Sequence, residues 1–258
     1  MSRTALAFLL VLLVLLVAML AIAPPGGMQA LPMARPFLPP GGAHPFGTDD
    51  LGRDMLMAVA QGARTSLMVG LAALGLAAGI GVTVGLAAGL GPVALDEALM
   101  RATDVVASLP TLLIAVLAAA FFGGSALLVA LVLGLTRWTV LARLVRAETL
   151  TLRRLPFFRA AVALGCGPLR LAHRHVLPQL GSVVAPAAGV IFGGAILAEA
   201  TLAFLGLGDP ELTSWGRLIA AGYPFLDEAW WMWAFPVAAI CLTTALVTLA
   251  SDAVGRDG

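Results

Sequence analysis

The sequence contains no lysine: all fifteen of its basic residues are arginine. A Walker A loop sets a lysine on the nucleotide phosphates, so this chain does not hydrolyse ATP by that route. Charge of either sign is scarce, at 11% of 258 residues with a net charge of +1, against about 25% in an average soluble domain. That balance excludes an ordinary soluble domain and offers nucleic acid nothing to bind. Cysteine is nearly absent, and Cys166 and Cys241 supply no disulfide framework. No Ser–His–Asp or Cys–His set can be assembled, and His173 and His175, two apart, point to different faces of a helix. The acids of GTDDLGRD (Gly47–Asp54) lack the oxygen-ligand spacing of a calcium loop. No metal site and no intramembrane catalytic pair is therefore expected.

What the sequence has is apolar length: 60% hydrophobic residues and a mean hydropathy of +1.01. Six stretches are long enough to cross roughly 30 Å of hydrocarbon as helices. They are Thr4–Ala23, Ser66–Leu90, Val105–Phe122, Ser125–Ala142, Val183–Leu205 and Trp230–Leu249. The start, Met1-Ser2-Arg3 and an apolar run, mimics a secretory signal. Its apolar core, about 19 residues, exceeds the usual 7–15, so an uncleaved first span is expected. Gly123 and Gly124 read as a tight turn between antiparallel spans. The expectation is an all-α integral membrane protein with six transmembrane helices in one domain.

Six spans put both termini on one side, with the segments near 91–104 and 143–182. That side carries Arg3, Arg101, Arg143, Arg146, Arg153, Arg154, Arg159, Arg170, Arg174 and Arg256, ten in all, against Arg35, Arg53, Arg64 and Arg217 opposite. The positive-inside rule then makes the termini cytoplasmic. Seven of the ten lie between Arg143 and Ser182; without them the count is three against four.

That excursion is far longer than a turn. Phe157, Ala161 and Leu164 recur at i, i+4 and i+7, an apolar stripe on a short helix. Gly165 and Gly167 break it, and Pro168 suits the first turn of a second helix. On the second helix Leu169, Ala172 and Val176 face one way and Arg170, His173 and Arg174 another, until Pro178 ends it. Composition allows a basic loop lying on anionic headgroups; the bend, stripe and small residues Ala160 and Ala161 suit docking of a soluble partner.

Ala160-Ala161, Gly165 and Leu177-Pro178 resemble the Glu-Ala-Ala…Gly…Leu-Pro loop of bacterial ABC importer permeases, except that the leading Glu is Arg159 here. HPFGTDDLGRD (His44–Asp54), GARTSL (Gly62–Leu67), LDEALMRATDVVASLP (Leu95–Pro110), ARLVRAETLTLR (Ala142–Arg153), AEATLAFLGLG (Ala198–Gly208) and SWG (Ser214–Gly216) resemble the dipeptide/oligopeptide/nickel subfamily. The resemblance implies a type I ABC importer permease fold in the bacterial inner membrane, with a cytoplasmic coupling helix between spans four and five. Phe157, Arg159, Ala160, Ala161, Leu164, Gly165, Leu177 and Pro178 would form the ATPase-coupling loop. It further implies a homologous second permease, two ATP-binding subunits carrying the ATP and Mg, and an extracytoplasmic solute-binding protein. This chain would bind no cofactor itself. The cargo would be peptides, or alternatively nickel or a metal chelate. A stand-alone secondary transporter would have no use for such a loop.

Within the spans, Gly81, Gly85 and Gly89 share one helix face and permit close helix contact. Glu199 lies about 24 Å along span five. A charge there must face protein or water, either in a structural hydrogen bond to backbone or in the translocation path or gate. Arg137 is expected to snorkel towards the cytoplasmic end. Thr48 or Asp49 is expected to cap a helix. Trp230, Trp231 and Trp233 are expected to form an interfacial belt, and Pro110 and Pro236 to kink spans three and six.

Overall fold

The computed structural model describes residues 34–257; the expected first span lies outside them. Among the described residues there is no β-strand, only isolated bridges at Gly41–His44 and Thr48–Asp54. The helices are α1 (Met55–Leu90), α2 (Val93–Ala107), α3 (Thr111–Phe122), α4 (Ala126–Leu152), α5 (Pro156–Ala163), α6 (Pro168–Leu171), α7 (Gly181–Phe204), α8 (Trp215–Gly222) and α9 (Trp231–Asp257). Proline sets many of their beginnings. Pro92 and Pro110 precede the first residues of α2 and α3, and Pro156 and Pro168 open α5 and α6, where a missing N–H costs nothing.

Four helices, α1, α4, α7 and α9, are long and apolar enough to span a membrane, and α2 with α3 makes a fifth candidate bent by 67°. Three expectations on span limits need correction. Span two starts at Met55 rather than Ser66, because Gly62, Ala63, Thr65 and Ser66 are buried among other helices. Span three is broken at Ser108–Pro110, and Val105–Ala107 belongs to α2. Span four continues past Ala142 to Leu152. Its extension carries Arg143 and Arg146, which pair with Asp104 (2.8 Å) and, through two hydrogen bonds, with Asp96 (Nη2–Oδ2 2.6 Å). The segment at 91–104, placed only by its side of the membrane, is thus mostly a helix held against α4 by ion pairs.

The parallel pair α1 and α4 forms the closest seam. A Cβ at Gly81 would stand 2.6 Å from Leu141 Cβ and 2.7 Å from the Trp138 carbonyl oxygen. At Gly85 it would meet the Ala142 oxygen and Val145 Cβ at 2.7 Å, and at Gly89 Thr149 Cβ at 2.6 Å. Gly134 returns the relation, 2.8 Å from Leu76 Cβ. Only residues without side chains allow backbones this close, and the Arg153 Nη1 donates to the Gly89 carbonyl at 2.7 Å where the seam ends.

At the opposite end of the bundle, residues 34–54 clamp the start of α1 to the start of α9. Asp54, not Thr48 or Asp49, caps α1: its Oδ1 accepts from the N–H groups of Leu56 (2.8 Å) and Met57 (3.2 Å), and its Oδ2 meets His44 Nδ1 at 2.7 Å. Buried Asp49 accepts from the backbone of Leu51 and Arg53. Burial pushes its carboxyl above the usual range, against those two bonds. Trp231 is a buried anchor rather than a belt residue, donating from Nε1 to the Thr48 carbonyl at 2.9 Å. Phe46 stacks on Phe235 at 4.0 Å.

Candidate functional site

The 153–180 segment is a compact loop packed on the end of α1 and α4. Pro156 starts α5, and Phe158 and Ala161, three apart, turn inward. They join Val145, Leu152, Leu171, Val176 and Leu180 in a buried cluster. This corrects the expected stripe. Ala161 is 6% exposed and faces its own chain, whereas Leu164 is 85% exposed and Phe157 half-exposed. The outward surface of α5 is therefore Phe157, Arg159, Ala160 and Leu164. On the second helix Leu171, not Leu169, joins Ala172 and Val176 inside, and Leu169 is exposed. Leu164 and Leu169 are thus both exposed on this loop.

The bend between these helices rests on Gly165, whose φ is +80°. The Cys166 N–H reaches back to the Ala161 carbonyl (3.1 Å) and the Gly165 N–H to that of Val162 (2.9 Å), which is how a helix closes on a left-handed residue. Nothing lies within 4 Å of a Cβ built there, so conformation, not space, selects glycine. Pro178 does not end a second α-helix. A π turn over Ala172–Val176 precedes a 3₁₀ turn over Leu177–Gln179 that contains Pro178, and α7 follows at Gly181. Leu177 is half-buried and Pro178 exposed. A cleft of about 560 Å³ separates the loop from α1, lined by Val82, Leu86 and Leu90 opposite Leu169, Ala172 and Leu177.

Gly165→Val is expected to leave membrane insertion intact and to uncouple ATP hydrolysis from transport, because a β-branched residue resists positive φ. Gly165→Asn, which tolerates that region better, should keep more than half of the coupling. Equal behaviour of Val, Asn and Gly in ATP consumed per molecule transported would reduce Gly165 to a spacer.

Glu199 is 5% exposed on α7. Its Oε2 accepts from Ser66 Oγ of α1 at 3.0 Å, and Ser66 Oγ in turn accepts from the Trp215 N–H of α8 at 3.3 Å. Trp215, fully buried, donates from Nε1 to the Val59 carbonyl at 2.9 Å. The acid thus joins three helices through a side-chain hydroxyl, where a backbone partner was expected. It borders only a narrow pocket of about 10 Å³ beside Thr65, Asp209 and Ser214. Ser66 and Trp215 sit in the GARTSL and SWG stretches, whose spacing gave no hint that they meet. Among the described residues no group of three His, Cys, Asp or Glu could hold a metal.

A broken span, a glycine-seamed helix pair and a helix–glycine–helix loop at one end make an all-α, multi-pass membrane fold. A solved structure of the MetNI methionine ABC transporter, inward facing, shares the fold: TM-score 0.65 at 15% identity, covering 79% of this chain and 97% of that one. A profile for the binding-protein-dependent transport system inner membrane component family matches residues 81–256. A putative peptide transport system permease protein of Brucella suis biovar 1 (strain 1330) is 36% identical over 100% of this chain and 88% of its own length. The oligopeptide transport system permease protein OppC of Haemophilus influenzae is 35% identical, over 84% of this chain and 70% of that protein. A probable D,D-dipeptide transport system permease protein, DdpC of Escherichia coli K12, is 34% identical over 89% and 77%. The chain belongs to the binding-protein-dependent transport system inner membrane component family.

Proposed function

We infer that this subunit forms half of the pathway of an ATP-driven peptide importer. The observation that carries the reading is the exposed Phe157–Ala160–Leu164 face, held rigid by Phe158 and Ala161 beneath it. Such a face suits a groove on an ATP-hydrolysing subunit, and its rigid mount passes movement there into α4 and α7. A homologous second permease completes the pathway. Two ATP-binding subunits hold the ATP and Mg, a solute-binding protein delivers cargo, and this chain needs no cofactor. The arginine-rich loop end faces the cytoplasm of a bacterial inner membrane. The peptide names of the three relatives favour peptides over nickel.

The test is reconstitution of the permease pair with its ATPase and binding protein in vesicles. ATP-dependent uptake of a labelled peptide is expected. Uptake of nickel but not of any peptide would overturn the cargo, and purification without an ATPase subunit would overturn the assembly.

Arg159 is exposed where the resembled loop has Glu. An exposed arginine can swing clear of a contact. Arg159→Glu is therefore expected to change the affinity for the native ATPase by less than about threefold even at low salt, where surface charges are least screened. A tenfold loss, restored by a charge reversal on the ATPase, would show that the groove has adapted to arginine.

A further inference from the structure

Arg137 has no counterpart in the reading above. It lies about 17 Å along α4 from Ala126 and about 22 Å from Leu152, well inside the hydrocarbon. It was expected to snorkel, but its guanidinium stays at that depth, beside α7. A Cβ at Gly194 would stand 3.3 Å from Arg137 Nη1, so the guanidinium occupies the space that this glycine leaves. Among the described residues Arg137 makes no hydrogen bond or ion pair, and its Nε is buried without a partner. The one carboxylate on α7, Glu199, is engaged by Ser66.

Gly194 belongs to a stripe of α7 that continues through Val190, Leu197 and Thr201, all exposed. The other sides of α7 pack on α1, α4, α8 and α9. Among the described residues, the guanidinium therefore lies at the margin of the open face of α7. A cation at this depth must meet an anion, water or protein dipoles. The planar fork of arginine fits a carboxylate through two parallel hydrogen bonds, and every unmodified peptide carries a carboxylate at its C-terminus.

We propose that Arg137 is a cargo-binding residue that receives the peptide's terminal carboxylate midway across the membrane, at the open face of α7 beside Gly194. This rests on the peptide-import reading. It gives the subunit a substrate contact of its own, specific for a chemical group and indifferent to side chains. Gly194 leaves room for the fork, and the stripe beside it is apolar but for Thr201, whose hydroxyl already donates to the Leu197 carbonyl at 2.8 Å.

The experiment uses the complete importer in vesicles, with trialanine and trialanine C-terminal amide as probes, each at saturating binding protein. Arg137→Gln should cut trialanine uptake at least tenfold, while uptake of the amide falls less than twofold. Arg137→Lys should restore more than half of the trialanine rate. Assembly with the companion permease, and ATP hydrolysis stimulated by loaded binding protein, should stay at wild-type levels. Equal losses for the two peptides, or none, would overturn the proposal. So would loss of the companion permease on purification, which would make an acid on that subunit the partner. Should the wild type not carry the amide, normal assembly without rescue by lysine overturns it equally. Failure of the wild-type complex to take up any peptide would instead sink the import reading.

Discussion

Ala161→Glu is expected to reduce transport to background by unmaking the loop, not by repelling a partner. Ala161 is enclosed with Phe158, Leu171 and Val176, so the new carboxylate would be buried among aliphatic and aromatic groups. Burying an unpaired charge costs many kcal/mol in principle. The loop avoids that cost by swinging α5 outward, which exposes Phe158 and destroys the rigid mount. Limited proteolysis should then cut within 153–180 while the spans remain protected, and the ATPase subunit should be lost on purification. Leu164→Glu separates the two effects. That side chain is already in solvent, so the loop should keep its protease resistance while affinity for the ATPase falls at least tenfold. Normal uptake by Ala161→Glu, with an uncut loop, would show that α5 is mounted differently.

Gly85→Val should be strongly destabilising. A Cβ there meets a backbone oxygen and a neighbouring Cβ, each at 2.7 Å, and a carbonyl inside a helix cannot turn aside. The α1 and α4 axes must separate, loosening the contacts of Gly81 and Gly89 as well. Overpacking of this kind costs about 1–3 kcal/mol, or roughly 2–12 °C in Tm for a chain of this size. The same helix contains its control. Nothing lies within 4 Å of a Cβ at Gly79, so Gly79→Val should shift Tm by less than about 2 °C. Equal shifts for the two variants, by thermal unfolding in one detergent, would refute the seam.

The glycine seam and the apolar spans were legible because period and run length are properties of single segments. The mounting of α5 was not. Phe157, Ala160, Ala161 and Leu164 fall within one broad helical face, and periodicity cannot tell which edge of it turns inward; Phe158, just outside that face, decides the matter by packing beneath α4. The α2 helix escaped notice for a related reason. Nothing in its own sequence tells Asp96 and Asp104 from solvated charges, and their partners Arg146 and Arg143 lie tens of residues away. Arg137 was read by a rule for long side chains near lipid, which knows nothing of a glycine on the facing helix. For α2 and for Arg137 the deciding residue sat on another element.

The broken span also has a consequence for the lipid around the subunit. With 12 residues, α3 reaches about 18 Å across hydrocarbon that is about 30 Å thick, and the remaining depth falls to α2, leaving at 67° with acids and an arginine along it. Where this flank faces lipid, headgroups would dip towards those charges and the bilayer would be thinner there than beside α1. Mismatch of this kind costs fractions of a kcal/mol per ångström. Acyl-chain length thereby becomes a setting on the subunit: short chains relax the flank, and long chains press on the Pro110 elbow.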